Sequence, residues 1–177
     1  NFPFFTLEPN LGLLEVPDYR IYDLSKLFKP KKTTPAFTRF VDIAGLVAGA
    51  SKGEGLGNQF LSHVRETDAI AHVVRCFEDQ NITHVEGNID PVRDMEVINT
   101  ELCLADLDTV EKKKSKTAKL AQAGIKEAKA ILPALEKVFN TLQEGVPARS
   151  LHLSDDEQDV FKELNLITLK PVLYVLN

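Results

Sequence analysis

Phe40-Val41-Asp42-Ile43-Ala44-Gly45-Leu46-Val47-Ala48-Gly49-Ala50-Ser51-Lys52-Gly53-Glu54-Gly55-Leu56-Gly57-Asn58 is the stretch on which the fold turns. It continues an apolar run, so that Phe37 to Ile43 reads as a strand with Asp42 at its carboxyl end. A carboxylate there, followed by Gly45, is what a nucleotide phosphate site needs. The carboxylate holds a hydrated Mg²⁺, and the glycine amide approaches the terminal phosphate with no side chain in the way. Taken alone, four residues of DxxG are a weak signal, and a strand-end aspartate before a turn is their commoner meaning. The glycines that follow are no Walker A cradle: Ser51-Lys52-Gly53 runs in the wrong order, and Glu54 would set a carboxylate beside the anion. They read as a mobile loop, placed where a switch segment orders around a terminal phosphate.

Outward from this stretch, short β-type runs alternate with polar connections, the pattern of a sheet with helical crossovers. Leu11 to Val16 is a strand ended by Pro17-Asp18. Asp18 caps a helix carrying Ile21, Leu24, Leu27 and Phe28, which Lys29-Pro30 stops. Ala69 to Phe77 reads as a parallel strand buried on both faces. From Pro91 the period changes. Met95, Ile98, Leu102 and Ala105, then Ile125, Ala128, Leu132, Leu135, Phe139 and Leu142, form two long amphipathic helices turning near Ala123-Gly124, a hairpin or coiled coil. Pro133 within the second stripe, at about 3 kcal/mol in a straight helix interior, predicts a kink or restart. Ser154-Asp155-Asp156-Glu157 is a capping box for a helix to about Leu164, and Val172 to Leu176 is a last strand. The expected architecture is α/β, a mostly parallel sheet interrupted by a helical insertion. Residues 1–90 and 164–177 form the sheet domain, and 91–163 the insertion.

The 177 residues are 44% hydrophobic and 27% charged, enough to build a core and to exclude whole-chain disorder. A formal charge of −5 argues against a generic polyanion-coating protein while leaving room for a local basic patch such as Lys112 to Lys116. A solvated helix face is the simpler account of that run. Cys76 and Cys103 lack metal-type or CxxC spacing and read as reduced thiols of a cytoplasmic protein. No apolar run approaches the roughly 20 residues of a bilayer span. The start at Asn1 without methionine, and the stop in an apolar run at Asn177, suggest a piece of something longer.

Other candidate residues are sparse. Thr6, between an aromatic pair and Pro9-Asn10, could be delivered to a metal, though a strand-entry threonine is the ordinary reading. His63 and His152 have no local company, and His72 reads as a satisfied core or edge histidine. His84 sits in a polar connection after the third strand, where α/β sites recruit catalysts. The pairs Glu54 and Glu66, or Asp106 and Asp108, read as solvated faces. No Cys/His metal spacing and no nucleophile triad can be assembled.

Together these segments resemble the YchF-type Obg-like ATPases, a subgroup of the translation-factor class of P-loop NTPases with a G-type domain. The likeness is carried by Asn1 to Asn10, by Phe40 to Asn58, by Arg65 to Asp68, by His72 to Phe77 and by Val97 to Leu102, and it covers essentially the whole chain. It implies that Thr6 and Asp42 ligand Mg²⁺, that Gly45 senses the γ-phosphate, and that Leu46 stands where Ras-type enzymes keep a water-positioning glutamine. A leucine can neither orient nor deprotonate water. The family's histidine after the next strand matches His84. Asn177 matches the first residue of the base-recognition motif, NxxE in this family rather than NKxD, and the chain stops before the deciding fourth position.

The resemblance therefore implies an Mg²⁺-dependent, ATP-hydrolysing switch protein. Potassium is a candidate additional ion, ribosomes or a ribosomal subunit are partners of the helical arm, and neither DNA nor a membrane is a partner. The Walker A loop and the C-terminal TGS domain of the family are not in this sequence, so the chain alone is expected to be inactive. Pro133 and Cys103 depart from the residues expected in the arm. The rival readings are an Obg-class GTPase and a non-catalytic adaptor acting through the hairpin.

Overall fold

The computed structural model describes residues 10–43, 56–79 and 88–177. The chain divides into two compact units, residues 1–45 and 46–177. In the first, β1 (Asn10–Glu15) and β2 (Phe37–Asp42) form an antiparallel pair running in register from Asn10 opposite Asp42 to Glu15 opposite Phe37. The Val16 amide extends the ladder to the Ala36 carbonyl at 2.8 Å. Between the strands lies α1 (Tyr19–Phe28). Asp18 caps it, accepting from the Arg20 amide at 3.1 Å, which satisfies one of the orphan donors of a helix start. It ends where Lys29 turns left-handed, with Pro30 beyond. The described residues of this unit are exposed or half-buried, and none is fully buried.

The second unit holds the core. α2 (Leu56–Arg65) precedes β3 (Ile70–Val74), and β4 (Val172–Leu176) lies parallel to β3, Ile70 opposite Val172 and Val74 opposite Leu176. Between these paired strands come α3 (Pro91–Gln122), α4 (Lys126–Gln143), a 3-10 turn at Ala148–Ser150, α5 (Asp155–Lys162) and a second 3-10 turn at Ile167–Leu169. A parallel pair requires a crossover connection, and here the crossover is the helical segment between the two strands. α3 begins with Asp90 as cap, accepting from the Arg93 amide, and with Pro91 in the first turn, where its missing N–H costs nothing.

The hairpin turns through Gly124 at φ +92°, a conformation that favours glycine. α3 and α4 then pack along their apolar stripes, burying Cys103 and Val110 against Ala134, Leu135, Val138 and Leu142. Leu153, Phe161 and Leu166 from the returning segment close the cluster. Of the kink or restart expected at Pro133, the restart does not occur: α4 runs unbroken from Lys126 to Gln143. The carbonyl that Pro133 leaves without its helical donor belongs to exposed Lys129, where water can serve it.

Three further expectations are corrected. β3 is shorter than predicted and is not buried on both faces among the described residues, since Val74 is buried while Val73 is 62% exposed. α2 has no counterpart in the sequence reading, because the preceding glycines obscured its start. Asp106 is not on a solvated face: it is completely buried, whereas Asp108 two residues on is exposed and paired with Lys112 at 2.6 Å.

Candidate functional site

β2 delivers Asp42 as its last residue, opposite Asn10 on β1 and exposed. A single exposed carboxylate oxygen donor at a strand end suits Mg²⁺, which takes one or two protein carboxylates and completes its octahedron with water and phosphate. No group of three His, Cys, Asp or Glu side chains converges on a metal-sized site among the described residues. Thr6, Gly45, Leu46 and His84 lie outside the described residues.

In the other unit the carboxyl ends of β3 and β4 lie side by side. The Asn177 amide donates to the Val74 carbonyl at 2.9 Å and the Cys76 amide to the Asn177 carbonyl, so the backbone fixes Asn177 just beyond the parallel pair. Ligands of open α/β sheets bind outside the carboxyl ends of parallel strands, and Asn177 stands at such an end. On β3, His72 is half-buried with its ring 5.5 Å from that of Tyr174, and burial holds its pKa below the usual value against the pull of Asp94. The Tyr174 hydroxyl accepts from Asn99 of α3 at 3.2 Å. His72 thus sits half-buried on β3 against the Tyr174 ring.

Behind β4 the structure contains a cluster that sequence reasoning missed. Asp106, 0% exposed, accepts from the Ile167 amide at 3.1 Å and from both the amide and the hydroxyl of Thr168 at 2.7 Å. Arg65 at the end of α2 approaches its other side at 3.7 Å. Burial pushes the Asp106 carboxyl up, and the Thr168 and Ile167 donors, with the Arg65 charge, oppose that push. Next to it Lys170 donates to the carbonyls of Arg65 and Thr67 and to Asn165, and its own burial lowers its pKa. A signal was present: Asp106 falls three and four residues from Cys103 and Val110, squarely on the buried stripe, and a charge on such a stripe must be paired.

The 50S ribosome-binding GTPase family matches residues 1–104. The chain belongs to that family. Within it the likeness is to the YchF branch. The chain is 52% identical over all 177 residues to a protein of Bacillus subtilis named ribosome-binding ATPase YchF, and 54% identical to one of the same name from Escherichia coli O157:H7. It covers 48% and 49% of them, so it spans about half the length of these curated relatives. A solved structure described as the Schizosaccharomyces pombe YchF GTPase superposes on the whole chain with a TM-score of 0.78 at 42% identity, over 48% of its own length. The fold is accordingly the α/β fold of a P-loop GTPase-type domain, with prominent helices between its parallel strands.

Proposed function

We propose that this chain is the switch and arm portion of an Mg²⁺-dependent nucleotide hydrolase that binds ribosomes, with ATP as its substrate. The observation that carries the reading is identity above one half along the entire chain to proteins named ribosome-binding ATPases. Thr6 and Asp42 would hold the metal, which neutralises charge on the phosphates, and the Gly45 amide donates to the terminal phosphate. Leu46 has no group to orient water, so His84 takes that part. Asn177 meets the base. Residues 1–90 and 164–177 make the nucleotide domain and 91–163 the arm that engages the ribosome, in the cytoplasm.

Hydrolysis in this reading is positioning and charge stabilisation rather than covalent chemistry, and loss of the terminal phosphate releases the switch segments. A second reading keeps the fold and makes the substrate GTP. It is favoured by the naming of the Schizosaccharomyces pombe YchF structure as a GTPase and by the family name itself. Binding of fluorescent ATP and GTP analogues to the full-length gene product, with and without Mg²⁺ and in potassium or sodium, separates the two. Preference for ATP supports the first reading, preference for GTP replaces it with the second, and binding of neither leaves an adaptor that works through its hairpin.

A further inference from the structure

Thr168, just ahead of the strand that ends at Asn177, is held both by α3 and by the turn that follows α4. It is 0% exposed. Its amide and hydroxyl donate to Asp106 of α3, and its carbonyl accepts from Arg149 at 3.4 Å, in the turn that follows α4. Arg149 also donates to Asn99 of α3 at 3.0 Å, and Asn99 donates onward to Tyr174 within β4. Every polar group of Thr168 is therefore taken by the insertion. Three residues separate Thr168 from the start of β4, and Pro171 stiffens that link.

α3 joins the two ends of this linkage. It is a single helix of 32 residues, about 48 Å long at 1.5 Å per residue. Asp106 lies midway along it: the half before it carries Asn99 at the sheet, and the half after it packs on α4 as the hairpin. A tilt of the hairpin cannot leave Thr168 where it is without separating a buried carboxylate from its donors, which is costly enough that the strand follows the helix instead. Buried, fully satisfied networks move as units.

We propose that the Asp106–Thr168–Arg149 clasp couples the hairpin to the nucleotide site, so that a ribosomal partner on α3 and α4 resets Asn177 and with it nucleotide affinity. Asp106, Thr168 and Arg149 are positioning residues here and touch neither ligand. The inference rests on the functional reading above for the identity of both ligands. By linkage the coupling is reciprocal: the nucleotide alters ribosome affinity by the same factor.

The test measures affinity for a fluorescent ATP analogue on the full-length gene product, alone and with saturating 50S subunits. Wild-type affinity is expected to change by at least about fivefold on adding subunits, the lower end of ordinary allosteric coupling. Thr168→Val, which removes the hydroxyl but keeps the amide hydrogen bond to Asp106, and Arg149→Leu, at a half-buried site, are each expected to reduce that factor, and the two together to bring it within about twofold of unity. Thr168→Ser keeps the hydroxyl and is expected to retain the wild-type factor. Variants that preserve full coupling overturn the clasp, as does a wild type that binds nucleotide and subunits independently. A wild type that binds no nucleotide overturns the functional reading first, and is told apart by the subunit-free arm alone.

Discussion

Thr168 places its amide nitrogen and its hydroxyl oxygen each 2.7 Å from the same carboxylate oxygen of Asp106, and Ile167 donates to the other. Removing the acceptor strands two buried amides and a hydroxyl together, and leaves Arg65 without its carboxylate. Asp106→Ala is therefore expected to lower the unfolding free energy by about 3–5 kcal/mol, the usual result of breaking a buried charged pair from one side. Asp108→Ala, which loses only an exposed pair with Lys112, should cost less than about 0.5 kcal/mol. Urea unfolding checks both, with the denaturant slope expected to stay unchanged.

The two cysteines differ in surroundings and should differ in reactivity. Cys76 is exposed, while Cys103 is 1% exposed and its thiol is pushed from 9.0 up to about 11, first by burial and then by nearby Asp106. A chromogenic disulfide reagent near neutral pH should titrate Cys76 promptly and Cys103 only on unfolding. The same shift sets a sign for stability. Between pH 9 and about 11 the unfolded thiol has lost its proton and the folded one has kept it, so folding binds more protons there. Cys103 thus stabilises the fold below pH 9, and that contribution is lost as pH rises towards about 11. Cys103→Ala should remove that component of the alkaline stability loss.

At the start of α5 the two halves of the capping box are both formed: the Glu157 carboxylate accepts from the Ser154 amide at 2.8 Å and the Ser154 hydroxyl from the Glu157 amide at 3.4 Å. Ser154→Ala is expected to cost about 1 kcal/mol in thermal or urea unfolding. The Ser154 amide also holds the Glu157 carboxyl below its usual 4.5. A lowered folded pKa stabilises above the unfolded value, so this part of the cap should weaken as pH falls below 4.5, and Glu157→Gln should flatten that dependence.

What could be read from the sequence tracks how local the determining interactions are. The capping box, the Asp18 and Lys29 ends of α1, the turn at Gly124 and the three predicted β-runs at β1, β2 and β4 are written within a few neighbouring residues, and they stand within one or two positions of where they were expected. The helical spacing from Cys103 and Val110 could have placed Asp106 on the buried stripe, but not its partners, because its donors lie 61 and 62 residues further along the chain. Exposure of Val73 depends on which strands flank β3, and the apolar run around it contains no such information. Of the candidate site, only Asp42 and Asn177 fall among the described residues, Asp42 as the last residue of β2 and Asn177 directly after β4.

His84 offers the sharpest test of the proposed chemistry, because in that proposal Leu46 stands in place of a side chain that would orient water. If His84 positions or deprotonates the attacking water, it acts on the transition state and scarcely on bound nucleotide. His84→Ala in the full-length gene product should then leave affinity for ATP nearly unchanged while lowering turnover by about 10² to 10⁴, the range of a positioned acid-base group. A loss of affinity matching the loss of turnover would instead place His84 in nucleotide binding, and unchanged turnover would remove it from the reaction. Leu46→Gln in the His84→Ala background sharpens the point. Partial recovery of turnover would show that water placement is what His84 supplies, since a glutamine there restores orientation without restoring a base.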